Sequence, residues 1–138
     1  MAPKDIVSEE NARVLYQKGF DEPCLFWYTS IHTLTWTSVE NRLFKSNHNF
    51  RKNEECYKDG CCPITAPTLQ EVKRWFRDTH HIDICTCREI DEYGKCFNGY
   101  IAVVYQDGCY KVTIRDAEGD LTYEEATNKA IEYCLTLI

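Results

Sequence analysis

The stretch "YIAVVYQDGCYKVTI", residues 100–114, decides the fold because it predicts a β-hairpin with a defined register. Asp107 and Gly108 fit a two-residue type I′ turn, in which both central residues take positive φ values. This turn predicts three cross-strand pairs on one face of the hairpin: Tyr105 with Tyr110, Val103 with Val112 and Ile101 with Ile114. The opposite face would carry Ala102, Val104, Gln106, Cys109, Lys111 and Thr113.

A short helix is predicted by "SEENARVLYQKGF", residues 8–20, where apolar residues recur at three- and four-residue steps. Ser8 can accept hydrogen bonds from the amides of the first turn. Gly19 favours a left-handed ending that folds Phe20 back onto Leu15. Both ends of this helix are therefore defined by local sequence.

Two further helices are predicted to begin with capping boxes, Thr68 with Glu71 and Thr122 with Glu125. The first continues through an apolar stripe of Leu69, Val72, Trp75 and Phe76. The second, which we expect to run to the last residue, has a stripe of Tyr123, Ala126, Ala130, Cys134 and Leu137. These stripes predict that each helix packs by one face.

Strands are predicted over residues 82–90 and, as one strand or two, over residues 24–38, with a turn near Ser30. Residues 41–65 form a long polar excursion without periodicity. The sequence thus predicts a single α+β domain over residues 1–138. Its element order is α-β(-β)-long loop-α-β-β-β-α, with three helices packed mainly on one face of an antiparallel sheet.

Composition and charge favour some classes of function and disfavour others. The chain has 138 residues, of which 43% are hydrophobic and 28% charged, as in ordinary globular domains. Its net charge of -6 disfavours nucleic acid as a partner. Neither a signal peptide nor a membrane span is evident, so we expect a cytoplasmic protein without a membrane partner.

The sequence is rich in cysteine, with nine residues, and an odd number cannot pair completely within one chain. A reducing compartment would keep them as thiols. The candidates for a zinc site are Cys56, Cys61, Cys62, His80, Cys85 and Cys87. The C-x-C spacing within a strand separates side chains by about 7 Å and makes a poor chelate, so we expect no cofactor and keep zinc as an alternative.

Alternation along the strand that begins at Ile82 predicts a face rich in cysteine. His81, Asp83, Cys85 and Cys87 would lie on one side, away from the isoleucines that face the helices. We expect Val104 and Cys109 to join that cysteine face. Because thiols are usually buried, we expect the excursion over residues 41–65 to cover it.

No catalytic or cofactor-binding residue is predicted. A catalytic thiol would need a neighbouring histidine or helix N-terminus to lower its pKa, and no local motif indicates one. The carboxylate pairs at Glu9-Glu10 and Glu124-Glu125 suit helix N-termini. Phosphate-binding glycine loops and nucleophile elbows are also missing from the sequence.

Residues 67–138 resemble double-stranded-RNA-binding domains in their order of helix, three strands and helix. Those domains grip phosphates with lysines at the start of the last helix, where this sequence has Tyr123, Glu124 and Glu125. The hairpin and last helix also resemble partial RNase H-like antitoxin domains, which share the Asp-Gly turn and an acidic helix. Both resemblances concern layout, and neither transfers a functional residue.

Three segments resemble motifs of small uncharacterised proteins that phages and mobile elements of gut bacteria carry. They are "SEENARVLYQKGFDEPC", "APTLQEVKRWFRDTHHIDI" and "TYEEATNKAIEYCLTLI". The resemblance implies a cytoplasmic accessory protein of an infected or lysogenic host cell.

The leading hypothesis is a non-enzymatic protein-binding module with an unidentified partner. Aromatic residues at Phe26, Trp27, Tyr28 and Trp36 favour it, because alternating strands cannot bury all of them on one side. The alternatives are a structural-zinc or thiol-dependent protein that uses the cysteine clusters, and a nucleic-acid binder that the charge disfavours. The oligomeric state stays open.

Overall fold

A computed structural model describes residues 5–22, 24–28, 34–36, 64–116 and 119–138, without the side chains of residues 35, 36 and 96–98. The elements in this part of the chain are α1 (Glu9–Gln17), β1 (Phe26–Tyr28), β2 (Leu34–Trp36), β3 (Ile64–Thr65), α2 (Leu69–His80), β4 (Ile82–Ile90), β5 (Cys96–Gln106), β6 (Cys109–Ile114) and α3 (Tyr123–Leu135). The predicted α+β class is confirmed. The turn predicted near Ser30 and residues 41–63 of the predicted excursion lie outside the described residues.

The chain divides into two compact units, residues 1–68 and residues 69–138. Each unit has its own antiparallel sheet of three strands, in the order β2-β1-β3 and β4-β5-β6. The expectation of one sheet is therefore corrected to two. The single domain stays a prediction, because two compact units can belong to one domain.

Helix α1 of the first unit begins and ends as predicted. The Ser8 hydroxyl accepts a hydrogen bond from the Asn11 amide at 3.3 Å. Gly19 has a φ of 95°, and the Phe20 amide donates to the Leu15 carbonyl at 2.9 Å, which completes a Schellman ending. Phe20 and Leu15 are both buried.

The sheet of the first unit includes the end of the predicted excursion. Ile64 and Thr65 form β3 and pair with β1, so the prediction of an irregular segment as far as residue 65 is wrong for these two residues. The three aromatic residues of β1 are half-buried. The Tyr28 hydroxyl donates to the Val7 carbonyl at 2.6 Å, and burial together with the nearby Glu9 and Glu10 raises the pKa of Tyr28 to about 12.

Helices α2 and α3 of the second unit pack on one face of its sheet, α2 on β4 and α3 on β4 and β5. The side chains that they cover are buried, and they are Ile82, Ile84, Ala102 and Val104. The prediction that Val104 lies on the cysteine face is therefore wrong. Val104 is the register partner of Ile84, and residues opposite each other in a sheet share a face.

The hairpin between β5 and β6 has the predicted turn, since Asp107 and Gly108 have φ values of 52° and 79°. Tyr105 pairs with Tyr110 as predicted. Beyond that pair the register shifts by one residue, and the observed pairs are Val104 with Val112, Val103 with Thr113 and Ala102 with Ile114. The predicted pairs Val103 with Val112 and Ile101 with Ile114 are wrong. Lys111 is the extra residue of a β-bulge in β6, which local turn chemistry does not predict.

Helix α3 has the predicted capping box. The Glu125 amide donates to the Thr122 hydroxyl at 3.1 Å, and the Thr122 amide donates to the Glu125 carboxylate at 3.2 Å. The helix ends at Leu135, and the cap at Thr136 separates it from the last residues, so it does not continue to the last residue as predicted. Its buried face includes Ala126, Ala130 and Cys134.

The connection between β6 and α3 folds back against β5. The Tyr100 amide donates to the Leu121 carbonyl at 2.8 Å. One residue earlier, Gly99 approaches the Gly119 backbone so closely that a Cβ atom on Gly99 would lie 1.8 Å from the Gly119 carbonyl oxygen. Only glycine fits at position 99 without displacing that connection.

Candidate functional site

The second unit has a groove between helix α2 and strand β4. Its volume is about 340 Å³, and it is lined by Gln70, Lys73, Arg74, Arg77, Asp83, Ile84, Cys85 and Thr86. A neighbouring open cavity of about 500 Å³ shares Arg77 and Asp83 and adds His81, Asp107 and Gly108. The two cavities meet near the start of β4 and follow it along one side.

The polar wall of the groove is a consequence of the helical repeat of α2. This helix buries Leu69, Val72, Trp75 and Phe76. The complementary positions are Gln70, Lys73, Arg74 and Arg77, which are also three and four residues apart and therefore form a second stripe along the helix. Because three of the four side chains are cationic, this wall carries positive charge although the whole chain is acidic.

The cationic side chains of the stripe differ in their ion pairs and hydrogen bonds. Arg77 lies 3.1 Å from the Asp78 carboxylate, but both side chains are more than half exposed, at 58% and 62%, so solvent weakens the pair. Arg74 is exposed and forms no ion pair with an acidic side chain in the described part of the chain. Both guanidinium groups are therefore accessible to a ligand.

Lys73 and Gln70 are positioned by Tyr123, the first residue of α3. The Lys73 Nζ and the Gln70 Nε2 atoms each donate to the Tyr123 hydroxyl at 2.9 Å. Lys73 Nζ also lies 4.9 Å from the centroid of the Tyr123 ring, within the range of a cation–π contact. The end of the groove near Gln70 and Lys73 is thus ordered by contacts between α2 and α3.

The other wall of the groove is the edge of β4, because β5 is the only strand that pairs with β4 in the described part of the chain. The Asp107 amide donates to the His81 carbonyl at 2.9 Å, and these residues continue the register of Ile82 with Gln106. Hydrogen-bonded and non-hydrogen-bonded pairs alternate in an antiparallel ladder. The backbone groups of Ile84 and Thr86 therefore point away from β5, toward the groove.

The face of the sheet opposite the helices is exposed. Cys85 and Cys87 lie on this face and are exposed, so the expectation that its thiols are covered is wrong. Cys109 is also exposed, but it pairs with Gln106, which pairs with Ile82, so it belongs to the helix side and the prediction that it joins the cysteine face is wrong. Tyr105 and Tyr110 lie on the face opposite the helices, with 38% and 60% of their areas accessible. Alternation correctly predicted which side of β4 carries the cysteines but not their exposure.

The thiols of Cys85 and Cys87 are neighbours on the same face of β4, two residues apart. Partial burial, the neighbouring Cys85 and the Glu89 carboxylate all raise the pKa of the Cys87 thiol. This environment keeps Cys87 protonated and does not activate it as a nucleophile.

The candidate zinc ligands are not brought together among the described residues. Cys56, Cys61 and Cys62 lie outside this part of the chain. His80 is the last residue of α2, where its ring packs 4.8 Å from that of Trp75 and its buried Nε2 atom has no hydrogen-bond partner in the described structure. His80, Cys85 and Cys87 do not form a group of three metal-ligating side chains, and the described residues contain no other such group.

The described thiols are expected to differ sharply in reactivity. Cys24 and Cys134 are buried, and burial raises the pKa of Cys134 to about 12, whereas Cys85 and Cys109 are exposed. Iodoacetamide at pH 8 should modify Cys85 and Cys109 within minutes and leave Cys134 unmodified until denaturant is added. Peptide mass spectrometry over a time course measures this order, and early modification of Cys134 would contradict the burial described here.

The order of elements in residues 69–138 is helix, three antiparallel strands and helix, as the resemblance to double-stranded-RNA-binding domains implies. At the start of α3, however, Glu124 and Glu125 occupy the first turn. These carboxylates would repel a phosphate backbone. The structure therefore has the element order that this resemblance implies, with carboxylates in the first turn of α3.

Comparisons with known proteins add no relative: no protein-family model, curated protein or solved structure matches the chain. None of the helices in the described ranges is both long and apolar enough to cross a bilayer.

The groove was not predicted from the sequence. The signal was present in α2, where the positions between the buried residues are three cations and a glutamine. The strand order was the missing information, because a hairpin prediction alone does not say that β4 is an edge strand. Without that order, the basic stripe looks like an ordinary solvated helix face.

Proposed function

We propose that the protein is a non-enzymatic protein-binding module that takes an extended segment of a partner along the edge of β4. The observation that supports this most directly is the direction of the Ile84 and Thr86 backbone groups, which open into the groove beside α2. The resemblance of three sequence segments to motifs of phage and mobile-element proteins favours an accessory role in the cytoplasm of a host cell.

This surface has two features that suit the addition of a strand. An exposed sheet edge has backbone donors and acceptors that a peptide strand can pair with directly. The groove beside the edge also provides side-chain contacts, which give such pairing its specificity. The lining of this groove, with three cations and a glutamine on α2, is suited to holding a ligand.

The experiment compares Thr86→Pro with Thr86→Val. Both variants lose the threonine hydroxyl, but only proline removes the amide that points into the groove, and an edge strand tolerates proline at such a position. Peptides selected on the immobilised protein from a random library should bind Thr86→Val and lose at least about tenfold in affinity for Thr86→Pro. Titration by fluorescence anisotropy gives the affinities, and circular dichroism verifies that each variant is folded.

Amide hydrogen exchange locates the bound segment. The amides of Ile84 and Thr86 should exchange more slowly when a selected peptide is present, because an added strand hydrogen bonds to them. Peptides that bind both variants equally, and that protect amides elsewhere, would place the binding surface away from β4. A library selection that yields no binder at all would also contradict the proposal.

A further inference from the structure

We infer that the segment bound along β4 carries acidic side chains at alternate positions. This inference rests on the proposed strand addition and names the chemistry of the partner segment. The observation behind it is that the two sides of an added strand would meet surfaces of different charge.

The geometry of an added strand follows from β4. Successive side chains of a strand point to opposite faces, so an added strand would present every second side chain to the helix side of the sheet. On that side, the groove wall is the basic stripe of α2. On the other side, the added strand would lie beside Asp83, Cys85 and Cys87.

The charges on these two sides favour different residues. Lys73, Arg74 and Arg77 on the helix side would attract carboxylates. Asp83 borders the groove beside Arg77, but alternation along β4 turns its side chain to the opposite side, where the carboxylate would repel them. A uniformly acidic segment therefore meets repulsion on one face, whereas a segment with acids at alternate positions matches both faces.

The spacing of the cations is also compatible with a strand. Helix α2 is connected to β4 through His81. One wall of the groove follows α2 from Arg77 back to Gln70, and the other follows β4 from Asp83 to Thr86. The helix and the strand therefore run in opposite directions along the groove. Lys73 and Arg77 are four residues apart, a rise of about 6 Å along a helix. Alternate residues of a strand are about 6.7 Å apart, so two acids at i and i+2 match these two cations.

The test uses three synthetic peptides of eight residues labelled with fluorescein. The first alternates glutamate with threonine, the second has the same composition in two blocks, and the third alternates glutamine with threonine. At low salt, the alternating acidic peptide should bind at least about tenfold more tightly than each of the others. Its affinity should fall as salt rises from about 50 to about 300 mM, because salt screens exposed charges.

Charge reversal provides the matched control. The double variant Arg74→Glu/Arg77→Glu should lose the alternating acidic peptide and gain affinity for a lysine-threonine peptide. The double variant Lys111→Glu/Lys129→Glu changes the net charge of the chain equally, at two exposed lysines outside the groove lining. It should retain the wild-type preference, because the stripe on α2 is unchanged.

The outcomes separate this inference from the proposed function. If Thr86→Pro abolishes peptide binding but the three peptides bind the wild-type protein equally, strand addition stands and the acidic pattern is overturned. If the alternating peptide binds Thr86→Pro and Thr86→Val with equal affinity, both proposals are overturned. A 20-base-pair RNA duplex that binds and displaces the acidic peptide would also overturn the inference, since the cations would then serve a phosphate backbone.

Discussion

Replacing Gly99 by alanine is expected to lower the free energy of unfolding by about 3 kcal/mol or more. The added Cβ atom would lie 1.8 Å from the Gly119 carbonyl oxygen and 2.4 Å from its carbonyl carbon. Both are backbone atoms, so no side chain can rotate away. The connection to α3 would have to move, and with it the hydrogen bond between Tyr100 and Leu121.

Gly94→Ala is the matched control for this substitution. Gly94 has a φ of 81°, but nothing lies within 4 Å of a Cβ atom built there. Alanine at position 94 should therefore cost only the strain of a left-handed conformation, about 1 kcal/mol. Urea denaturation of the two variants measures the difference, and equal destabilisation would contradict the large cost expected from the contact at Gly99.

Replacing Thr127 by valine is expected to lower the free energy of unfolding by about 2 kcal/mol, because it breaks a chain of two partly buried hydrogen bonds. The Thr127 hydroxyl donates to the Tyr123 carbonyl at 2.8 Å, so its single hydrogen is used. The Thr86 hydroxyl, 2.7 Å away, must therefore donate to Thr127. Valine has nearly the same shape as threonine but leaves the Thr86 donor without its acceptor.

A double-mutant cycle tests this order of donors. Thr86→Val should cost less than Thr127→Val, about 1 kcal/mol, because the bond from Thr127 to Tyr123 survives it. The double variant should be destabilised by less than the sum of the two single variants, since no unpaired hydroxyl remains. Thermal and urea denaturation supply the four free energies, and strict additivity would contradict the hydrogen-bonded chain.

The parts of the fold that the sequence predicted are those that neighbouring residues determine. Ser8 and Gly19 define the ends of α1, and Thr122 with Glu125 defines the start of α3, because each motif satisfies backbone groups within a few residues. The Asp107-Gly108 turn is local in the same sense. These predictions required no knowledge of tertiary structure.

The parts that the sequence did not predict depend on residues far apart in the chain. The bulge at Lys111 shifts the pairs beyond Tyr105 although the turn itself is regular. Gly99 and Gly119 are in contact across twenty residues, and nothing near either one indicates this. The hydroxyl chain from Thr86 to Thr127 joins a strand to a helix in the same way.

The candidate site shows the same division between local and distant information. The basic stripe of α2 can be recognised in the sequence as the complement of the buried stripe. Its significance depends on β4 being an edge strand, which only the sheet order establishes. Spacing alone made Cys85 and Cys87 candidate metal ligands, but their exposure could not be deduced from it.

The bulge at Lys111 also affects how many strands this sheet can recruit. Among the strands that the structure describes, β6 is the other edge of the second sheet, and a bulge with an exposed lysine is a common protection against strand pairing. The edge of β4 is regular from Ile82 to Arg88. With one edge open to strand pairing and one edge protected, the sheet can accept one added strand. If β4 binds a partner segment as we propose, the bulged edge at β6 would stop further strands from adding there, and the complex would be finite and not a fibre.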